Sequence, residues 1–200
     1  MTPGTHSSFG LFSIKNFLSG EECARIVREM SSSEGSMACV AKADERRLDE
    51  SYRRTVTKNV SEETRSLISE KIAGLRGDLG AYFGVELSRP QKPEFLYYRT
   101  GDFFRCHTDK GTSSQHPDEV RDRLVSAVVF LNDETDEPGD GAYTGGSFII
   151  YGLLKDPRFE GQGFKVRGTA GTLIAFGSEM FHEVTPVTSG VRLTVVSWFV

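Results

Sequence analysis

From residue 94 to residue 200 the sequence repeats one grammar. "EFLYYR", "LVSAVVFLN", "GGSFIIYG", "GTLIAFG" and "RLTVVSWFV" are β-branched and aromatic runs set apart by Gly, Pro, Asp and Ser. No helix-length apolar period interrupts them after residue 84, which argues against alternating strand–helix units and a parallel sheet. Many short strands with turn signals between them predict an antiparallel sandwich or barrel. This constrains the fold more than any other feature of the chain.

Two helix signals precede the strands. In "SGEECARIVREM", Ser19 and Glu22 hold capping-box positions, and Cys23, Ile26, Val27 and Met30 follow at helical spacing. "SEETRSLISEKIAGLRGDLGAYFG" predicts one further helix, capped by Ser61, with Leu67, Ile68, Ile72, Leu75 and Leu79 as its buried stripe and Gly84 at its C-terminal end. Residues 40–60 are charged and weakly patterned and read as loop, with a short strand around "RRTVTKNV". Two hundred residues fit one domain, in which 1–84 is helical support and 85–200 the strand-built core.

Composition closes off several functions. A net charge of −4 with no basic run disfavours a nucleic-acid groove or an anionic membrane partner. Three cysteines without a CxxC pair do not make a disulfide framework. "MTPGTHSSFG" has neither the basic start nor the apolar block of a signal peptide, and no apolar run reaches membrane-spanning length. A reducing, cytoplasmic home is the expectation.

The chemistry concentrates in "FRCHTDK". His107 and Asp109 are two residues apart, so in an extended chain both side chains turn to one face. That convergence suits a hydrogen bond, a proton shuttle or a metal ion. His182 follows the run "TLIAFG" with apolar neighbours, and ten positions later Arg192 opens "RLTVVSWFV". A buried arginine is costly unless an anion pairs with it. Two histidines and one carboxylate leave coordination positions open, the pattern of the facial triad that holds Fe(II) in oxygenases. A bidentate 2-oxo acid suits two of those positions, and the planar fork of Arg192 suits its far carboxylate. Thr194, two residues along the same strand, faces the same way and adds a hydroxyl.

Longer motifs carry a resemblance. "YRTGDFFRCHTD", "RLVSAVVFLND", "GGSF" and "GTLIAFGSEMFHEVTPVTSGVRLTVVSWF", with the opening "FSIKNFLSGEEC", resemble the iron(II)- and 2-oxoglutarate-dependent dioxygenases, of the subgroup similar to prolyl hydroxylases. The resemblance covers nearly the whole chain. It implies a mainly β protein with flanking N-terminal helices, a double-stranded β-helix or jelly roll. It implies iron held by His107, Asp109 and His182, with 2-oxoglutarate and dioxygen as co-substrates and ascorbate as an accessory. Arg192, Thr194 and Tyr98 would hold the oxo acid, Tyr97 being the alternative should the register slip by one. The implied reaction is hydroxylation of an unactivated C–H bond with release of succinate and carbon dioxide. Two departures stand out: Phe130 replaces a tyrosine common in prolyl hydroxylases, and Arg192 replaces a common lysine.

Substrate specificity lives in loops. The candidates are 31–60, 110–123, 133–145 and 153–163, the last as a lid. The expected substrate is a small molecule, an amino acid or natural-product scaffold, with a peptidyl proline or other peptide residue as the alternative. A catalytically silent metal-binding module is a second alternative, and a zinc or manganese hydrolase would leave Arg192 unexplained. Arg123 falls where the resembling domains can carry a substrate-contacting arginine, with a solvated loop arginine as the alternative; His116 reads as a solvated loop residue, Cys106 as packing, and "NDETDEPGDG" as a solvated hairpin.

Overall fold

In the computed structural model, which describes residues 10–200 except 39, 43, 44, 48 and 155, Ser19 starts the first helix as its spacing requires. Its Oγ accepts from the Glu22 N–H at 3.1 Å, and the Glu22 carboxylate accepts from the Ser19 N–H at 2.7 Å. The residues read as lacking a signal peptide lie, all but Gly10, outside the described residues.

The first part of the chain runs β1 (Leu11–Ile14), α1 (Gly20–Ser32), β2 (Gly35–Met37), β3 (Val40–Lys42), β4 (Glu45–Arg47), β5 (Arg53–Arg54), β6 (Val56–Lys58), α2 (Glu62–Ala73) and α3 (Arg76–Phe83). The remainder runs β7 (Glu94–Tyr98), β8 (Phe103–His107), α4 (Asp118–Arg121), β9 (Val125–Phe130), β10 (Tyr143–Gly145), β11 (Phe148–Tyr151), β12 (Gly163–Val166), β13 (Leu173–Gly177), β14 (His182–Val184), β15 (Val187–Gly190) and β16 (Arg192–Phe199). The single helix expected over 61–84 is two helices. Gly74 closes α2 and Leu75 is the N-cap of α3, in a segment where Gly74, Gly77 and Gly80 weaken any continuous helix. Leu67 and Leu75 are accordingly only half-buried, while Ile68, Ile72 and Leu79 are fully buried. Gly84 ends α3 with φ +67°, the left-handed cap its position predicts.

Among the described residues, the major sheet has the order β1-β13-β9-β16-β7-β6-β2 and the minor sheet β12-β11-β14-β8-β5, both antiparallel, with pairs β10-β15 and β3-β4 beside them. The fold is a jelly roll. The first 84 residues do more than support it, because β1, β2 and β6 form both edges of the major sheet and β5 an edge of the minor one. Residues 40–42 and 45–47, read as loop, pair as a hairpin.

Period-two alternation divides the major sheet. Phe95, Val125, Ala127, Val129, Leu173, Leu193, Val195 and Phe199 join the helix residues Cys23, Ile26, Met30, Ile68 and Ile72 in one core. Leu96, Tyr98, Val128, Phe130, Ile174 and Phe176 point the other way and meet Phe148, Ile150 and Val184 of the minor sheet. The helices therefore seal one face, and the second face encloses the space between the sheets. No described helix is long and apolar enough to cross a membrane.

Candidate metal centre and its cavity

Strand pairing brings the three sequence-distant ligand candidates together. His107 ends β8, His182 begins β14, and the two are direct partners across the antiparallel pair. Asp109 lies just past β8. Its carboxylate oxygens are 3.6 Å from His107 Nε2 and 3.5 Å from His182 Nε2. One ligand atom from each residue falls within 4.8 Å of the others.

The histidines are set by the backbone. His107 Nδ1 is 2.7 Å from the Arg105 carbonyl, and His182 Nδ1 is 3.0 Å from the Met180 carbonyl. A carbonyl only accepts, so Nδ1–H donates in each case and the Nε2 lone pair is left facing Asp109. Such outer hydrogen bonds fix the tautomer that a metal requires. Burial pushes His182 down to about 4, aided by His107 and opposed by Asp109, so it is neutral at neutral pH. Burial pushes the Asp109 carboxyl up, but His182, His107 and the Arg123 charge, all close to it, outweigh burial and hold the group well below the usual carboxylate range. Two neutral imidazoles and an ionised carboxylate are the donor set that Fe(II) takes in a facial triad, and the residues fit it.

Arg192 lies on the inner face of β16, opposite Tyr98 on β7, and is 1% exposed. Its guanidinium carbon is 5.0 Å from the Tyr98 ring and 5.7 Å from the Phe130 ring. Nη1 donates to Thr194 Oγ1 at 3.3 Å, and Nε has no hydrogen-bond partner. Among the described residues no carboxylate lies within ion-pair distance of Arg192. Asn132 secures the strand from β9's end, donating from its amide to the Val191 carbonyl and accepting the Leu193 N–H.

A cavity of about 600 Å³ joins these groups, lined by His107, Asp109 and His182 at one side and Tyr98, Arg192 and Thr194 within. Tyr98 faces it, whereas Tyr97 packs against the helix-covered core, which resolves the register between them. Loops 31–60 and 110–123 line it. No described residue of 133–145 or 153–163 does, so the expected lid at 153–163 does not cover it in this structure.

Four expectations change here. Arg123 is not simply solvated: its guanidinium carbon is 3.6 Å from the Trp198 ring, and it donates to Gln91 Oε1 at 3.0 Å and the Asp109 carbonyl at 3.3 Å. His116 is half-buried against Gly111 and lines the cavity without joining the ligand cluster. Cys106 is exposed rather than packed. In the acidic hairpin, Glu134 is buried, accepting from Ser147 Oγ at 2.6 Å and pairing with Lys165 at 2.7 Å. Two residues escaped the sequence reading altogether. Phe181, 58% exposed beside His182, gave no signal except its place next to a candidate ligand. Tyr143, buried near Arg192, gave none.

Comparison with known proteins agrees with this geometry. Residues 93–200 match the family model of the 2OG-Fe(II) oxygenase superfamily. A PKHD-type hydroxylase of Nitrobacter winogradskyi is 38% identical over 107 residues, 53% of this chain and 42% of that protein. One from Thermosynechococcus vestitus is 34% identical over 104 residues, 52% of this chain and 40% of that protein. The chain thus spans about two fifths of the length of these curated relatives. A Pseudomonas putida prolyl-4-hydroxylase shares the fold with TM-score 0.71 at 24% identity, over 96% of this chain and 92% of that one. A Trichoplax adhaerens prolyl hydroxylase, in complex with a hypoxia inducible factor oxygen degradation domain peptide fragment, does so with TM-score 0.69 at 20% identity, over 95% of this chain and 83% of that one. With its C-terminal half matched and its jelly roll shared, this chain belongs to the 2OG-Fe(II) oxygenase superfamily.

Proposed function

We propose that this chain hydroxylates an unactivated C–H bond of a peptide-borne residue, proline foremost, with 2-oxoglutarate as co-substrate. One oxygen atom of dioxygen goes to the substrate carbon as hydroxyl and the other to succinate, and C1 of 2-oxoglutarate leaves as carbon dioxide. The observation that carries the reading is a buried arginine with no carboxylate in ion-pair reach among the described residues, in the same cavity as a converging His–Asp–His cluster. A hydrolytic metal site has no use for that arginine.

Iron(II) held by His107, Asp109 and His182 would supply the electrons that activate dioxygen. The chain's own residues supply position and charge. The backbone carbonyls of Arg105 and Met180 hold both imidazoles in the Nδ1–H form. Arg192 neutralises the distal carboxylate of the oxo acid, Thr194 orients the guanidinium, and Tyr98 lines the same wall. The inner wall, formed by Leu96, Val128, Phe148 and Val184, excludes water from the reacting end.

The sequence reading put a small molecule first and a peptide second. The names of the relatives and the peptide complex of the Trichoplax protein favour the opposite order. The cavity lining supports it, because the exposed Phe181 beside His182, with Trp198 and Arg123, offers aromatic and cationic contacts to a peptide. The test is mass spectrometry and succinate release with proline-containing peptides beside free amino acids. Hydroxylation of free amino acids alone would sink the peptide reading. A silent module would give no visible charge-transfer band on adding 2-oxoglutarate to the anaerobic iron complex.

A further inference from the structure

The inner face of β7 and β16 carries opposite charges at its two ends. Arg192 pairs with Tyr98 at one end, and Val196 pairs with Glu94 at the other. Four residues of strand separate the ends, a span of about 13 Å. Both ends line the cavity. At about 600 Å³ the cavity has the size of a site for a drug-sized ligand, so a five-carbon acid at Arg192 leaves the Glu94 end open.

Glutamate is depleted in strands, and Glu94 sits in one without a partner. It is half-buried and shares the cavity face with Leu96 and Tyr98, while Phe95 and Tyr97 point to the helices. Among the described residues no cation lies within ion-pair distance of its carboxylate, and no donor bonds to it. Apart from Asp109 at the metal cluster, it is the one carboxylate among the described lining residues.

Hydroxyls flank it. Thr57 of β6 pairs with Leu96, which sets it diagonal to Glu94, and Ser36 of β2 pairs with Thr57. Both line the cavity, and neither hydroxyl bonds to a described residue. Val196 and Trp198 of β16 form the apolar flank. The lining cations are held elsewhere. Arg123 lies 3.6 Å from the Trp198 ring and donates to Gln91 and the Asp109 carbonyl, and Arg53 lies 4.6 Å from the Phe104 ring. Lys110 belongs to the metal side, directly after Asp109.

One carboxylate, two hydroxyl oxygens and an apolar flank match one kind of group. An ammonium on an aliphatic stem has three donors and no acceptor, and the stem packs on apolar surface while the head keeps polar partners. An anionic ligand would be repelled by Glu94, and an apolar one would strip its carboxylate of water without replacing it. We infer that the Glu94 end of the cavity takes the ammonium of a lysine near the hydroxylated residue, so that this chain selects peptides with a basic residue beside their target. The inference rests on the reading of the chain as a peptide hydroxylase.

Trp198 is the single tryptophan of the chain and lines the same end, so its fluorescence reports peptide arriving there. The experiment titrates the anaerobic iron(II)–2-oxoglutarate complex with three peptides, identical but for lysine, glutamine or glutamate on both sides of a central proline. Succinate release in air then reads their turnover. The parent should bind the lysine peptide at least about tenfold more tightly than the glutamate peptide, one decade being about 1.4 kcal/mol. Glu94→Gln should bring that ratio close to one, and Glu94→Lys should reverse it. A ratio taken within each protein is insensitive to general damage. Affinity for 2-oxoglutarate should hold at the parent's value in both variants, because Arg192 lies at the other end. Equal binding and turnover of the three peptides by the parent overturns the inference alone, as does a lysine preference that survives in Glu94→Gln. Absence of peptide turnover with 2-oxoglutarate bound overturns the proposed function, and the inference with it.

Discussion

The two faces of β16 are buried to nearly the same extent and differ in everything else. Leu193, Val195 and Phe199 meet the helix residues, are at most 4% exposed, and find apolar partners at every point. Arg192 and Thr194, at 1% and 0%, look into the cavity and keep a guanidinium Nε with nothing to bind. Burial on the first face removes apolar area from water, worth about 25 cal/mol per Å². On the second face, burial desolvates polar groups whose partner must come from outside. One face stabilises the fold, and the other stores the capacity to bind.

The comparison breaks most visibly at the metal cluster. His182→Ala or Asp109→Ala should weaken iron(II) binding by more than about a hundredfold, since even the outer hydrogen-bond partners of a metal ligand are worth 10–100-fold. Turnover should vanish with the iron, while the chain stays folded. His116→Ala, which touches the cavity but not the cluster, is the control and should behave as the parent. Iron titration followed by succinate assay reads both. Parent-level turnover in either ligand variant would remove that residue from the triad.

The sealed face gives the opposite signature. Phe95, partner of Val195 and 0% exposed, anchors the helix-side core. Phe95→Ala should cost about 3–5 kcal/mol. For a chain of this length that is a melting-temperature drop on the order of 10 °C. The affinity of the surviving folded protein for 2-oxoglutarate should stay within about twofold. A larger loss of affinity than of stability would show that the two faces are mechanically coupled.

Much of this contrast is written in the sequence. Alternation in "RLTVVSWFV" already separates Leu193 and Val195 from Arg192 and Thr194, and His-x-Asp with a later His and Arg marks the cluster. What alternation does not carry is how loops fold back. No described residue of the lid expected at 153–163 lines the cavity, while 31–60, read as mostly loop, supplies Met37, Tyr52 and Arg53 to its lining. Glu134 looks solvated in an acidic hairpin, yet its partners are Lys165 of β12 and Ser147 and Gly168 of the segments beside β11 and β12. Tyr143 is similar: only the left-handed turn at Gly145 and Gly146 sets it against Arg192. Local pattern specifies faces, and long-range pairing specifies neighbours.

Acid sharpens the comparison, because the cavity face carries a buried imidazole whose protonation the fold opposes. His182 is held at about 4 in the fold, below its ordinary 6.5. As pH falls through 6.5, the unfolded chain takes up a proton that the folded chain refuses, so stability is lost down to about pH 4. Between pH 6.5 and 5 the metal-free protein should lose about 2 kcal/mol from this group, at about 1.4 kcal/mol per pH unit. Asp109, depressed below its ordinary 3.8, adds a loss of the same sign at lower pH. Urea unfolding at pH 7 and 5 measures it, and His182→Ala should show a flatter pH dependence than the parent. An identical slope in both would place the titrating group elsewhere.

The finest separation of the two faces comes from Arg192. Its charge sits beside Tyr98 and Phe130 rings and a threonine hydroxyl, with no protein carboxylate in reach among the described residues. In the metal-free protein Arg192→Ala should therefore cost little stability, since the buried charge it removes is uncompensated. With co-substrate present the balance reverses. Hydrogen bonds to a charged group are worth about 1.5–3 kcal/mol each, so 2-oxoglutarate affinity should fall at least about tenfold. Arg192→Lys keeps the charge without the planar fork and should fall between. Thr194→Val removes only the acceptor that orients Nη1, a neutral-partner loss of about 1 kcal/mol and a few-fold in affinity. Titrating 2-oxoglutarate into the four anaerobic iron complexes ranks them as parent, Thr194→Val, Arg192→Lys, Arg192→Ala. Melting the metal-free proteins should rank them by no such order. If the stability losses follow the affinity losses instead, Arg192 serves the fold rather than the ligand, and the inner face is only a second core.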